Sequence, residues 1–431
     1  MEILSVFFLL LVALLLIGIP VGYCIGITSI VALVIKWGYP SLSFGLIAQM
    51  LVYGINNFPI LAVPLFLLAG AIMNISGISN RIFDFAESIV GHIRGGLAHV
   101  NILASFIFSG MSGAAAADAA GLGQIEIKAM KDAGYDPDFS CAVTAASATI
   151  GPIVPPSVPL VLYGVLAATS VSRLFIGGIV PGVLMVIALM VLCAIISKRK
   201  GYPKGDRFRF NHFFHTFKRA FFPVLTPVII IGGIWTGIFT PTEAAAVAAL
   251  YSLVLGFFFK KIKLKELVLT FREVSITGSA ILIILACAMI YNSALTRTQV
   301  PEIITDLLFS ISEKPIVILL LLNAMILIAG MFMSTAETIT LFTPLIAPLL
   351  PKFGIDPIHF GVMMVLNLMI GQLTPPFGIV LYVVARVGNI EFDRLVKACI
   401  PFYIPIFVVL LLIIFFPSIV TYLPDLVFGK Y

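Results

Sequence analysis

The chain has 431 residues, 61% of them hydrophobic and only 11% charged, with a mean hydropathy of +1.15 and a net charge of +6. This excludes an ordinary water-soluble globular protein, in which roughly a quarter of the residues are charged. The positive charge gathers in two short stretches flanked by apolar sequence, which reads against a nucleic-acid partner.

The first apolar stretch, Ile3 to Ile19, approaches the roughly 20 residues that a bilayer crossing needs. It follows Met1 and Glu2 with no basic n-region and no small-residue cleavage site, so it is expected to stay in the protein and not to leave as a signal peptide. Residues 1–60 read as N-terminal scaffold helices and residues 61–197 as a first repeat. Within that repeat, residues 100–131 form a hairpin with a small-residue tip, Ser109 to Asp118. Residues 137–171 form a span broken at Pro155-Pro156, and Leu174 to Ile196 is a further crossing.

A basic stretch follows, with Lys198, Arg199, Lys200, Lys204, Arg207, Arg209, Lys218 and Arg219. Phe221 to Phe259 is long enough for two crossings that turn at Thr240-Pro241-Thr242-Glu243, where Glu243 reads as a helix cap. The second basic stretch, Lys260, Lys261, Lys263, Lys265 and Arg272, then returns to the same side. Both have the character of cytoplasmic loops, so residues 198–272 read as basic loops around a scaffold helix pair.

Residues 273–416 read as a second repeat, with crossings at Ile276 to Ile290 and Phe402 to Phe416. Its hairpin covers about 315–350, with a tip from Gly330 to Thr338, and its broken helix about 356–388, interrupted at Pro375-Pro376. Residues 417–431 read as a tail. The five cysteines, Cys24, Cys141, Cys193, Cys287 and Cys399, stand alone in apolar sequence and read as small core residues, and the scattered histidines argue against a metal site.

The two repeats match without a gap. Gly110-Met111, Gly134, Asp136-Pro137, Gly151, Pro155-Pro156 and Pro181 recur 220 residues later as Gly330-Met331, Gly354, Asp356-Pro357, Gly371, Pro375-Pro376 and Pro401. Repeats of this size with matched glycine and proline interruptions point to the binding site of a transporter. The charge around the hairpins differs: Arg81, Arg94, Lys128 and Lys131 surround the first, Glu302, Asp306, Glu313 and Asp356 the second. The first hairpin base is therefore expected at the cytoplasm and the second at the periplasm. The fold class is an all-α polytopic membrane protein of inverted repeats, with two re-entrant hairpins and two broken helices.

Proline has no amide hydrogen and clashes with the preceding turn, so each Pro-Pro pair frees carbonyls inside the membrane. Such groups need protein, water or an ion as partner. Ser109, Ser112, Ser334, Thr335 and Thr374 add hydroxyl oxygens nearby, an all-oxygen environment suited to a hard monovalent cation, with sodium the leading candidate. Half-helix N-termini at the tips attract a carboxylate. Intramembrane Asp118 and Glu337 are candidate coupling carboxylates or caps, and Arg297 and Arg386 are candidate partners of an anionic substrate or snorkelling surface residues. For Gly110 and its neighbours the plain alternative is close helix packing.

These residues carry a resemblance. Ser109-Gly110-Met111-Ser112-Gly113 followed by Ala117-Asp118-Ala119-Ala120-Gly121, Gly151 to Ser157, Thr240 to Ala246, and Gln372 to Gly378 together resemble the DctM-like large membrane subunit of tripartite ATP-independent periplasmic transporters, over essentially the whole chain. The resemblance implies an inner-membrane, sodium-coupled importer of organic acids that moves like an elevator, and no cofactor beyond the coupling ion. It implies two partners: a soluble periplasmic binding protein that delivers the cargo, and a small four-helix membrane subunit expected here as a separate chain.

Carried onto this sequence, one sodium site would pair Ser109, Gly110 and Ser112 with Gly151, Pro152 and Pro155. The other would pair Gly330, Met331, Ser334 and Thr335 with Gln372, Thr374 and Pro375. Ser112, Gly113, Ser157 and Thr335, with Arg297 and Arg386, are the candidate substrate residues. Ala114 and Ala115 stand where the family carries further hydroxyls, which shifts weight to carbonyls. The rivals are a proton-coupled carrier of the same architecture, a passive channel, a structural membrane anchor, and an intramembrane serine protease suggested by Gly110 to Gly113 that would need a histidine such as His359 beside Ser112.

Overall fold

The computed structural model describes residues 2–38, 43–205, 207–259 and 261–430; Lys260 of the second basic stretch, Met1 and Tyr431 lie outside them. Among the described residues the regular structure is helical, apart from an isolated bridge between Arg94 and Lys204. The N-terminal helices are α1 (Glu2–Leu16), α2 (Val21–Trp37), α3 (Phe44–Ile55), α4 (Ala62–Ile75) and the amphipathic α5 (Ile78–Val90). The first hairpin is α6 (Gly96–Ser112) and α7 (Ala115–Asp132), and the first broken helix is α8 (Pro137–Ala148) and α9 (Val158–Leu166). There follow α10 (Val171–Lys200), α11 (Phe210–Trp235), α12 (Pro241–Phe258), α13 (Leu264–Thr298) and α14 (Val300–Ile311). The second hairpin is α15 (Pro315–Phe332) and α16 (Thr335–Ile346), the second broken helix α17 (Pro357–Gln372) and α18 (Ile379–Gly388), and the chain closes with α19 (Phe392–Phe415) and α20 (Ser418–Phe428).

Seven helical segments among the described residues are long and apolar enough to cross a membrane: Phe58–Ile75, α10, α11, α12, α13, α15 and α19. Their outward faces carry large apolar side chains such as Leu250, Val268 and Ile404, because lipid replaces water as the solvent.

The 220-residue offset extends beyond the motifs. It separates the starts of α2 and α12, of α3 and α13, of α7 and α16, and of α8 and α17. The repeat thus runs back through the scaffold helices, and a boundary at residue 272 falls inside α13. Lys265 and Arg272 ride on that helix and not on a loop, and Lys218 and Arg219 likewise belong to α11. The expected tail contains α20, held to α10 where Arg173 pairs with Asp425 at 3.2 Å. Inside α11, Pro223 cannot bond the Arg219 carbonyl, which instead accepts Nη1 of Arg81 at 3.2 Å.

The repeats are inverted. Helix α10, at 30 residues, spans about 45 Å and has two distinct ends. At its C-terminal end Lys200 Nζ meets Asp136 at 3.0 Å, at the base of the first hairpin, and Arg394 at the start of α19 meets Asp138 at 2.9 Å. Burial raises the Asp136 carboxyl, but the Lys200 ammonium and the Asp138 amide outweigh that and hold it below the usual carboxylate range. At the far end of α19 the Ile413 carbonyl pairs with His359 Nε2 at 2.9 Å, just after Asp356 at the base of the second hairpin. Tyr163, near the end of α9, donates to the Pro357 carbonyl at 2.8 Å at that same face.

The described residues of the two basic stretches lie on the Lys200 side, where Arg94 bridges Lys204, Arg219 faces Asp84 at 3.9 Å and Arg81 stacks 3.6 Å over Phe259. By the positive-inside bias that side is expected to be the cytoplasmic one. In a variant stripped of native cysteines, Lys352→Cys is expected to react with an impermeant thiol reagent from outside and Lys131→Cys only from inside. Equal labelling of both positions contradicts the inversion.

Candidate functional site

Each hairpin tip packs against its own broken helix, and each return arm packs against the half-helix of the other repeat: α7 on α18, and α9 on α16. Helix α15, with 18 residues, is long enough to cross by length alone. It is re-entrant because its tip meets the interruption between α17 and α18, part-way along that span.

At the first tip α6 ends on Gly113, whose φ of 64° lies in the left-handed region. A Cβ there would also sit 2.5 Å from the Pro156 carbonyl oxygen, so glycine is required on both counts. The Val158 amide donates back to the Gly113 carbonyl at 3.4 Å, clamping tip to break. Ser112 Oγ donates to Asp118 Oδ1 across the turn. Asp118 is 2% exposed, its Oδ2 has no hydrogen-bond partner, and a Cβ on Gly151 would lie 2.4 Å from that oxygen. The Asp118 carboxylate therefore faces the backbone of the break. Among the described residues the carbonyls of Thr149, Gly151 and Val154 accept no hydrogen bond.

Other expected residues have local partners. Ser109 donates to the Phe106 carbonyl at 2.6 Å, and Ser157 donates to the Pro152 carbonyl while capping α9 through the Leu160 amide. Pro152 is thereby occupied, while Pro155 lies in the buried turn. Gly110 is a packing position, since a Cβ would lie 2.5 Å from Cβ of Pro227 on α11.

The second tip is built differently. Ser334 and Glu337 form a capping box: the Ser334 hydroxyl receives the Glu337 amide and Glu337 Oε2 receives the Ser334 amide at 2.8 Å. Glu337 is thus engaged as a cap, as is Glu243 in the matching box with Thr240. Gly371 lies against Gly330, where a Cβ would come within 2.7 Å of the Gly330 carbonyl carbon. The Met331 carbonyl accepts the Phe377 amide at 3.2 Å, and Gln372 Nε2 donates to the Met333 carbonyl at 3.4 Å. Thr374 donates to the Ile370 carbonyl at 2.6 Å.

The Gln372 and Pro375 carbonyls accept no hydrogen bond among the described residues. The first tip and break are buried almost throughout, whereas Thr335, Thr374 and Pro375 are half-buried and Phe377 is exposed. Both Pro-Pro bonds are cis.

The two arginines are not brought to either tip. Arg297 is exposed in the last turn of α13, where its Nε donates to Ser293 at 3.1 Å, and Arg386 is exposed in the last turn of α18. Long basic side chains at helix ends extend to the polar boundary. His359 points to Ile413 and not to Ser112, which removes the base that a serine protease needs. All five cysteines are buried and free.

Two features escape the sequence. Helices α5 and α14 are short amphipathic helices at opposite faces, with Ile82, Phe85 and Ala86 buried on the first and Val300, Pro301 and Leu308 on the second. Glu126 on α7 is a second buried carboxylate, hidden in a stretch that with Lys128, Lys131 and Asp132 reads as solvated.

The family model described as "Tripartite ATP-independent periplasmic transporter, DctM component" matches residues 8–419. The chain belongs to this DctM family. It is 47% identical to the sialic acid TRAP transporter large permease protein SiaM of Vibrio cholerae, over 96% of each chain. It is 45% identical to the sialic acid TRAP transporter permease protein SiaT of Haemophilus influenzae, over 98% of this chain and 68% of that longer protein. The crystal structure of the Alcanivorax borkumensis YdaH transporter superposes with a TM-score of 0.62 over 86% of this chain and 88% of that one; at 14% identity the likeness is one of fold. As a DctM component the chain is an integral inner-membrane transport protein and not an enzyme, consistent with the seven helical segments among the described residues that are long and apolar enough to cross a membrane.

Proposed function

We propose that this DctM component is the large membrane subunit of a sodium-driven importer of small organic acids. The observation that carries the reading is the Asp118 carboxyl at the first tip, shared with Ser112 and facing the backbone at Gly151, beside a break whose Thr149, Gly151 and Val154 carbonyls accept no hydrogen bond among the described residues. That donor set is all oxygen with one negative charge, which suits a hard monovalent cation. The second cation site draws on Thr335, Thr374 and the carbonyls at Gln372 and Pro375, and its partial exposure supports it as the site nearer the substrate.

Helices α7 and α18 pack on one another and both begin inside the membrane without a side-chain cap. Their free amides are suited to the carboxylate of a substrate, and a cation bound nearby favours its binding reciprocally. The name of SiaM makes a sugar acid such as sialic acid the first cargo to test, with dicarboxylates and keto acids next. The partners are a periplasmic binding protein and a small membrane subunit. Contacts such as Gly110 on Pro227 of α11, smooth and apolar, suit sliding of the hairpin block past the scaffold in an elevator motion.

The test is initial uptake against sodium concentration in proteoliposomes of the complete complex, with potential and pH clamped. A sigmoidal dependence is expected, and this subunit alone should not take up free substrate. Uptake that ignores sodium and follows an imposed proton gradient refutes sodium coupling and moves the coupling role of Asp118 to a proton.

A further inference from the structure

We propose that Glu126 is a proton-binding site of the first hairpin, a carboxyl that must stay in its neutral acid form for the hairpin to work. Glu126 is 1% exposed and accepts Ser105 Oγ at 3.3 Å. Ser105 also meets Ser147 Oγ at 3.1 Å, Ser147 donates to Asn101 Oδ1 at 2.6 Å, and Asn101 Nδ2 donates to Thr144 Oγ1 at 2.7 Å. This buried chain joins α6, α7 and α8, and apart from the carboxyl no member carries an ionisable side chain. In the second repeat the position 220 residues on is Ile346, so the cluster belongs to one hairpin only.

The elements packed against α7 carry His99 on α6, Asp138 and Cys141 on α8, Tyr382 and Arg386 on α18, and Arg81, Asp84 and Glu87 on α5; α4 carries no ionisable side chain. On α7 itself stand Asp118, Lys128, Lys131 and Asp132. None of these forms an ion pair or hydrogen bond with Glu126 among the described residues. Asp118, about two turns earlier on α7, is an acid too. A carboxylate buried without a cation is more costly than the neutral acid, and hydroxyl and amide neighbours can accept the acid proton.

The proposal rests on transport by this subunit and not on which ion drives it. It is tested at saturating sodium, with identical buffers on both sides of proteoliposomes, from about pH 6 to about pH 10. The wild-type rate is expected to fall about tenfold for each pH unit beyond the ionisation of Glu126. Glu126→Gln, permanently neutral, should match the wild type at neutral pH and keep its rate where the wild type declines, while Glu126→Asp should decline again. Infrared spectra supply a readout without transport: a protonated-carboxyl band lost at alkaline pH in the wild type and missing from Glu126→Gln. Superimposable pH profiles of wild type and Glu126→Gln overturn the proposal. So does a Glu126→Gln complex that assembles, by size exclusion, yet fails to transport at neutral pH. A failure of sodium coupling would instead appear in the sodium titration, which these variants leave unchanged.

Discussion

Replacing Asp118 by asparagine is expected to raise the sodium concentration for half-maximal uptake by about ten- to a hundredfold, the equivalent of about 1.5–3 kcal/mol for one charged hydrogen-bonding group. The side chain keeps its shape and one oxygen toward Ser112, so the tip should remain folded. What it loses is the negative charge that a bound sodium ion would draw on, at a buried side chain that faces Gly151. Ser112→Ala removes only a neutral donor to Asp118 and should shift the sodium dependence less, while Glu337→Gln, whose parent caps α16, should leave sodium affinity near the wild type. The readout is sodium binding to the purified complex together with the uptake curve. Unchanged affinity in Asp118→Asn would remove the first cation site from the mechanism.

Gly371→Ala is expected to reduce uptake at least about tenfold. A Cβ at this position would approach the Gly330 carbonyl carbon at 2.7 Å, its oxygen at 2.8 Å and its Cα at 3.0 Å. These are backbone atoms and cannot rotate away, so α15 and α17 must separate at the point where tip and break meet. Overpacking of this kind costs about 1–3 kcal/mol, or about a ten- to hundredfold change in the population of the working geometry. The parted backbones also disturb the Phe377-to-Met331 hydrogen bond and the carbonyls beside Gln372. Gly232→Ala, in α11, is the control: nothing lies within 4 Å of its added carbon, and full activity is expected. Equal uptake by both variants would show that the close approach of Gly330 and Gly371 is not needed for transport.

The two intramembrane acids illustrate how far local sequence reaches. Ser334 and Glu337 stand three residues apart at a helix start, and the same spacing appears at Thr240 and Glu243; a capping box is a local interaction and can be read from such spacing. Asp118 has no such partner at that spacing, because Ala115 precedes it there. Its hydroxyl comes from Ser112 across a turn and its second oxygen faces Gly151, 33 residues onward, so only the folded chain shows what it meets. Glu126 is the harder case. Lysines and an aspartate near it suggest a solvated helix face, yet it is buried and accepts Ser105 of α6, which in turn meets Ser147 of α8.

The solvent, the repeat and the two helix breaks are legible in the amino-acid order alone, as is the expected cytoplasmic side. These follow from properties that act over a few residues or in sum: transfer of apolar side chains to lipid, the missing proline amide, and the bias of lysine and arginine between faces. Long-range contacts close the first tip and leave the second half-open, keep Arg297 and Arg386 at helix ends, and extend the repeat into the scaffold as α2 with α12. Those outcomes depend on contacts between segments tens to hundreds of residues apart, such as Tyr163 with Pro357 and Gly330 with Gly371. Their energies come from close packing and paired polar groups, which have no periodic trace in the chain.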